Sequence, residues 1–150
     1  MSLKEQIDTD IKKAMLARNK EELEALRSIK SLILLAETEK GGSEDLTSES
    51  EKKLLMKAAK QRKESAEIFQ SQNRKDLADK ELTQLEVINR YLPKQLSEGE
   101  MREALAIVIK EVGASGPQDM GKVMGVATKR LAGQADGKVI SDLVKKMLSS

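Results

Sequence analysis

The residues best placed to do chemistry are a pair of glycines beside lysines, in Asp119-Met-Gly-Lys-Val-Met-Gly125. On a helix, the apolar residues of this segment share one side. The opposite side carries Gly121, Lys122, Gly125 and Lys129. Two glycines inside a helix cost about 1 kcal/mol each relative to alanine, so close approach of another group should compensate. Either a second helix packs there, or a ligand or nucleic-acid backbone does, with the lysines meeting phosphates.

A second short motif, Ala135-Asp-Gly-Lys138, is predicted to begin the last helix. Asp136 is most simply an N-cap, which supplies a side-chain acceptor to the first turn. Helix starts also receive anions, so Lys138 extends the same basic surface under the nucleic-acid hypothesis. The predicted contact residues are Gly121, Lys122, Gly125, Lys129, Arg130 and Lys138.

Two charged residues fall in the middle of apolar helix faces, Arg62 on the third predicted helix and Glu81 on the fourth. An unpaired charge in such a position is very costly, so each needs a partner. The sequence predicts a buried ion pair between them that sets helix register. The lysines at 53, 57 and 60 form a row that is typical of a solvated face, with nucleic-acid contact as the alternative.

Several kinds of site are excluded by missing side chains. The 150 residues include no cysteine, histidine or tryptophan, so disulfides, thiolate nucleophiles, imidazole bases and Cys/His zinc sites are absent. We expect no catalytic residues, no metal and no cofactor. Aromatic residues make up 1% of the chain, whereas Leu, Ala, Lys, Glu and Met are abundant, which favours an all-α fold.

The apolar periodicity and the capping signals predict seven helices. Capping boxes are expected at Ser2, Ser48 and Ser97, a further cap at Asn19, and helix stops at Gly41-Gly42 and Gly113. The predicted spans are about 3–17, 20–40, 48–72, 75–92, 98–112, 117–131 and 137–148.

Composition changes near Pro93, since six of the seven valines lie after it. We predict a helical domain of antiparallel helices over 1–93 and a small three-helix domain over 94–150. The first part carries 18 basic and 18 acidic residues, and the second carries 9 and 7. The second part is therefore slightly basic, which permits a small basic patch rather than a surface that coats duplexes.

The N-terminal segment lacks the apolar stretch of a secretory signal, and no apolar run approaches the length of a membrane span. The expected location is the cytoplasm.

Four segments resemble the YqeY family, in order and over essentially the whole chain. They are Lys60-Gln-Arg-Lys-Glu-Ser65, Tyr91-Leu-Pro-Lys-Gln-Leu96, Asp119-Met-Gly-Lys-Val-Met-Gly125 and Ala135-Asp-Gly-Lys138. The C-terminal part also resembles the tail domain of GatB, a subunit of the glutamine-dependent aminoacyl-tRNA amidotransferase. The resemblance implies a helical domain followed by a helical tail that contacts the outer corner of tRNA. By position it assigns that contact to Gly121, Lys122, Gly125 and Lys138.

The leading hypothesis is a non-catalytic accessory protein that binds tRNA. The alternative is an interaction module whose glycines dock a helix of a tRNA-charging or amidotransferase enzyme. A third hypothesis, carbon–nitrogen ligase activity with glutamine as amido donor, rests on the family label alone. The sequence predicts no membrane partner.

Overall fold

The computed structural model describes residues 2–39, 41 and 46–149. Within these ranges the chain forms seven α-helices and no β-strand, which confirms the predicted all-α class. The helices are α1 (Leu3–Leu16), α2 (Lys20–Glu39), α3 (Ser48–Ser71), α4 (Lys75–Asn89), α5 (Glu98–Val112), α6 (Met120–Arg130) and α7 (Gly137–Ser149). No helix in this part of the chain is both long and apolar enough to cross a membrane.

Two predicted helix bounds differ from the structure by more than one residue. The fourth helix was expected to reach Leu92 but ends at Asn89. After it, the amides of Arg90, Tyr91 and Leu92 donate to carbonyls three residues earlier, so the chain tightens before Pro93. The sixth predicted helix is split, because Pro117–Asp119 forms one 3-10 turn ahead of α6.

The helix starts largely follow the predicted caps. Ser2 accepts from the amide of Glu5, Asn19 accepts from that of Glu22, and Ser97 and Glu100 form a reciprocal capping box. The prediction at Ser48 is wrong by one residue. Thr47 has the extended backbone of an N-cap and accepts from the amide of Ser50, so Ser48 is already helical. Gly42 lies outside the described residues.

Three helices end in the same hydrogen-bonded turn with different residues in the left-handed conformation. These residues are Arg18 (φ 55°) after α1, Asn73 (φ 57°) after α3 and Gly113 (φ 68°) after α5. In each turn the following amide reaches back five residues and satisfies a terminal carbonyl, as in Schellman motifs. Of these three turns, only the one at Gly113 was predicted as a helix stop. Arginine and asparagine adopt positive φ less readily than glycine, so they give a weaker indication of a helix end.

The contacts divide the chain into two compact units, 1–92 and 93–150, within one residue of the predicted boundary. In the N-terminal unit, α1 packs on α2, α2 on α4, and α3 on α4. Lys4 pairs with Glu37 and Asp8 with Lys30, so α1 and α2 run antiparallel. Its buried residues include Ile7, Ala25, Leu26, Ile29, Ile33, Leu55, Ala58, Val87 and Ile88.

In the C-terminal unit, α6 packs against both α5 and α7. Its core is rich in valine and leucine, and its buried residues include Leu105, Val108, Val123, Ala127, Leu131, Ile140, Leu143 and Val144. The apolar side of α6 is therefore committed to this core, which fixes the direction in which its glycines point.

Candidate nucleic-acid interface

The glycines of α6 lie on an open surface. Val123 and Ala127 are fully buried, whereas Gly121 and Gly125 are exposed on the other side of the helix. A Cβ atom placed on either glycine would meet nothing within 4 Å outside its own helix backbone and chain neighbours. Neither of the other two helices of the C-terminal unit therefore packs against these glycines, and within this unit the surface is accessible to a ligand or a partner.

Two lysines flank the open glycines. Lys122 and Lys129 are exposed and seven residues apart, which places them two turns apart on one side of the helix. Neither ammonium group lies within 4 Å of a carboxylate of the described residues. We call the surface formed by Gly121, Lys122, Gly125 and Lys129 the glycine face. Its chemistry is that of an unoccluded helix backbone beside two cations that are available to an anion.

The other two predicted basic residues differ from each other. The Arg130 guanidinium lies 2.8 Å from a carboxylate oxygen of Glu111 on α5, so its charge is already partly compensated. Lys138 lies in the first turn of α7, is exposed, and has no carboxylate within 4 Å among the residues described. The Asp136 carbonyl accepts from the amide of Ile140, so Asp136 holds the predicted N-cap position.

A turn before α6 fixes where the helix begins. A carboxylate oxygen of Asp119 accepts from the amide of Ser115 at 2.9 Å, and the amide of Asp119 donates to Gly116 at 3.0 Å. The hydrogen bond from the Ser115 amide lowers the pKa of Asp119 below its usual value, and the charge of Lys122 acts in the same direction. Sequence reasoning missed this role for Asp119, although the Ser-Gly-Pro run before it is a turn signal.

The segment 91–96 carries part of the family resemblance, and its last residues have a structural role within the C-terminal unit. The side-chain amide of Gln95 donates to the carbonyls of Pro93 (2.9 Å) and Gly133 (2.7 Å). The backbone amide of Leu96 donates to Gln134 at 2.9 Å. These bonds hold the chain ahead of α5 against the loop between α6 and α7. Gly133 is buried with φ 79°, a conformation that favours glycine.

The structure brings Arg62 and Glu81 together. One guanidinium nitrogen of Arg62 lies 3.0 Å and 3.4 Å from the two carboxylate oxygens of Glu81. The side chains keep 32% and 17% of their exposure, so the pair lies at the margin of the α3–α4 contact and is not buried as expected. Long charged side chains at such margins keep their heads hydrated and bury their stems.

The remaining candidates give no site. In the lysine row of α3, Lys53 lies 3.7 Å from Glu49 and Lys57 is exposed. Tyr91 is turned inward, where its hydroxyl donates to a carboxylate of Asp10. Burial raises the pKa of the Tyr91 phenol, and the bond to Asp10 adds to the effect. Across residues 2–39, 41 and 46–149, no cluster of three or more acidic side chains is arranged to hold a metal ion.

Comparison with known proteins places this architecture in a family. A family model described as "Yqey-like protein" matches residues 4–148. Three relatives bear the name "Altered inheritance of mitochondria protein 41, mitochondrial". The protein from Clavispora lusitaniae is 37% identical over 111 residues, which span 73% of this chain and 64% of the relative. The protein from Pyrenophora tritici-repentis is 27% identical over 147 residues, spanning 96% and 80%.

The third relative, from Lachancea thermotolerans, is 33% identical over 110 residues, which span 72% of this chain and 58% of the relative. In two of the three comparisons the match thus covers less than two thirds of the relative's length. The family model, in contrast, runs through both units, from the second residue of α1 to the last turn of α7. The chain is a member of the YqeY family.

Proposed function

We propose that this protein is a non-catalytic accessory protein that binds tRNA through the glycine face of its C-terminal unit. The observation that carries the proposal is the open surface at Gly121 and Gly125 beside two exposed lysines that have no carboxylate within 4 Å in the described chain. A phosphate backbone approaches a helix closely where no Cβ atoms intervene, and flanking lysines supply the charge. The resemblance to the GatB tail domain supports tRNA as the nucleic acid.

Recognition in this proposal is by shape and phosphate. The two aromatic residues of the sequence, Phe69 and Tyr91, belong to the N-terminal unit, and Tyr91 is hydrogen-bonded to Asp10. The glycine face therefore has no ring on which an unpaired base can stack. With few phosphate contacts, the affinity should be modest and should fall as salt rises.

The same open glycines also favour a second candidate, in which a helix of a tRNA-charging or amidotransferase enzyme docks on the face. Small residues permit two helix backbones to approach closely, and the lysines then lie at the rim of the interface. The two candidates differ in the forces involved. A phosphate complex weakens with salt and is destroyed by nuclease, whereas a helix docked by packing survives both.

Carbon–nitrogen ligase activity is not part of the proposal. Amide transfer from glutamine requires a nucleophile to release ammonia, and the sequence offers neither a thiol nucleophile nor an imidazole base for that step. The proposed location is the cytoplasm. Because the names of the relatives include "mitochondrial", cell fractionation with an antibody against the protein is the direct test of this point.

Filter binding of purified full-length protein to tRNA tests the main proposal. Wild-type protein should bind at about 50 mM salt and lose affinity steeply toward about 200 mM. The double variant Lys122→Gln/Lys129→Gln should bind about tenfold more weakly, with a salt slope lower by about one per lysine. Lys57→Gln/Lys63→Gln removes equal charge from exposed positions on α3 and should bind like wild type. Absence of wild-type binding at low salt, or full binding by the first variant, would contradict the proposal.

Replacing Gly121 or Gly125 with alanine tests tRNA binding separately from folding stability. Because both positions are open, Gly121→Ala and Gly125→Ala should each raise the free energy of unfolding by up to about 1 kcal/mol. The new methyl groups lie where the phosphate backbone approaches, so tRNA affinity should fall while stability rises. Urea unfolding and filter binding on the same samples measure both quantities. Unchanged tRNA affinity in the stabilised variants would show that close approach to the glycines is not used.

A further inference from the structure

The turn between α1 and α2 exposes large apolar side chains. Leu16 is 87% exposed and Met15 is 54% exposed, and both lie in the last turn of α1. The turn is ordered by its own backbone. The amide of Arg18 donates to Met15 at 3.2 Å and that of Asn19 donates to Ala14 at 3.0 Å. Leu16 therefore points into solvent at a defined position and makes no contribution to the core.

The same turn concentrates positive charge. Lys12, Lys13, Arg18 and Lys20 are exposed, and the sequence has no acidic residue between Asp10 and Glu21. Among the described residues, none of these four cations lies within 4 Å of a carboxylate. Of the acidic groups nearest in sequence, Asp10 accepts a hydrogen bond from Tyr91 and Glu22 pairs with Arg90, while Glu21, next to Lys20, is exposed. The turn thus combines exposed apolar side chains with four exposed cations that have no carboxylate within 4 Å among the described residues.

We propose that this turn docks on an anionic phospholipid surface, with Met15 and Leu16 entering the boundary between headgroups and acyl chains. An apolar group rimmed by lysine and arginine is the combination that such surfaces bind, because insertion removes aliphatic area from water while the cations meet lipid phosphates. This docking is independent of the tRNA-binding proposal, since it uses the N-terminal unit.

The surface around Ile68 lacks this combination. Ile68 on α3 is exposed to a similar degree as Met15, at 55% and 54%, but acidic Glu64 and Glu67 are its sequence neighbours. A phosphate backbone would satisfy the cations of the turn but would leave Leu16 in water, because an aliphatic side chain does not stack on bases. Charge and apolar area together therefore favour a lipid surface over RNA.

Vesicle sedimentation with the full-length protein tests this inference. Vesicles of phosphatidylcholine with about 30% phosphatidylserine should sediment the protein at low salt, and vesicles of phosphatidylcholine alone should not. Leu16→Ser should weaken binding about tenfold or more, as expected for losing one inserted leucine. Lys12→Gln/Lys13→Gln should weaken it about fivefold per lysine. Ile68→Ser removes an apolar side chain that is 55% exposed on α3, so it is the control and should bind like wild type.

Two outcomes of the vesicle experiment would contradict the proposed docking on lipid. Failure of wild-type protein to sediment with anionic vesicles, or equal sedimentation of Leu16→Ser and wild type, would overturn it. The substituted positions are exposed, so circular dichroism should show unchanged folding. The same variants should retain wild-type filter binding to tRNA, which keeps this test distinct from that of the glycine face. Loss of tRNA binding with unchanged vesicle binding would instead assign the turn to RNA and would also overturn the proposal.

Discussion

The N-terminal and C-terminal units use charge differently. In the N-terminal unit, outside the cationic turn between α1 and α2, ion pairs repeatedly join one helix to another, as in Lys4–Glu37, Arg62–Glu81 and Lys80–Glu24. In the C-terminal unit, Arg130 pairs with Glu111, while Lys122 and Lys129 have no carboxylate within 4 Å among the described residues. The difference in net charge between the two parts is small, so it is the arrangement of the charges that distinguishes them. A nearly neutral protein can still present cations on a particular face.

The largest effect on stability is expected from a substitution in the core of the C-terminal unit. Leu105 is fully buried, so Leu105→Ala should lower the free energy of unfolding of this unit by about 2–5 kcal/mol. For so small a unit, that loss approaches its entire stability. Amide hydrogen exchange measured residue by residue should show lost protection in α5, α6 and α7. Equal loss of protection in α1 to α4 would show that the two units unfold together.

Arg62 should matter more to stability than Arg130. Arg62→Ala leaves the Glu81 carboxylate, which is 17% exposed, without its cation, and should cost about 1–3 kcal/mol. Arg130→Ala breaks a pair whose side chains are 44% and 49% exposed, and should cost less than about 1 kcal/mol. Urea unfolding of both variants measures the difference. A double-mutant cycle with Glu81→Ala isolates the pair, and a coupling energy near zero would contradict this role.

The residues that end the helices also differ between the two units, and substituting them should change stability by a smaller amount. Gly113 and Arg18 both adopt positive φ at the end of a helix, but only glycine does so without steric strain. Gly113→Ala should destabilise the C-terminal unit by about 1–2 kcal/mol. Arg18→Gly should stabilise the N-terminal unit by less than about 1 kcal/mol, because relief of strain is partly offset by chain entropy. Thermal unfolding of both variants compares them, and a destabilised Arg18→Gly would refute the strain argument.

The smallest expected difference between the two units is in how their stability depends on pH. The pKa of Tyr91 is raised in the folded N-terminal unit, so its contribution to stability is present below about pH 10 and is lost as the pH rises further. The pKa of Asp119 is lowered in the C-terminal unit, so its contribution is present above its ordinary value of 3.8 and is lost on acidification. Urea unfolding across pH should show both limbs. Tyr91→Phe should flatten the alkaline limb, and Asp119→Asn the acid limb, whereas unchanged limbs would contradict these assignments.

Local signals in the sequence predicted most of the fold. Apolar periodicity and caps such as Ser97 with Glu100 depend on residues within one turn of each other, so they can be read without tertiary information. One error occurred where neighbouring residues compete. Thr47 and Ser48 are both able to cap α3, and in the structure Thr47 has the extended backbone of the N-cap. Arg18 and Asn73 were missed as helix stops because neither residue type requires positive φ.

The candidate site was only partly predictable. Helical spacing alone separated Gly121 and Lys122 from the apolar side of α6. It could not tell whether Arg130 was available, because its partner Glu111 is on a different helix. Nor did it indicate that Gln95 would tether the chain to Gly133, a contact between residues 38 apart in sequence.

The sequence by itself determined the all-α class, the positions of the helices and the absence of thiol and imidazole chemistry, because composition and local periodicity suffice for these properties. Only the tertiary structure decided that Gly121 and Gly125 are open, since occlusion depends on which helices pack together. It also decided that Leu16, apolar like the core leucines, is left in solvent at a cationic turn. Exposure is a property of the packed molecule, and the function of a surface depends on it.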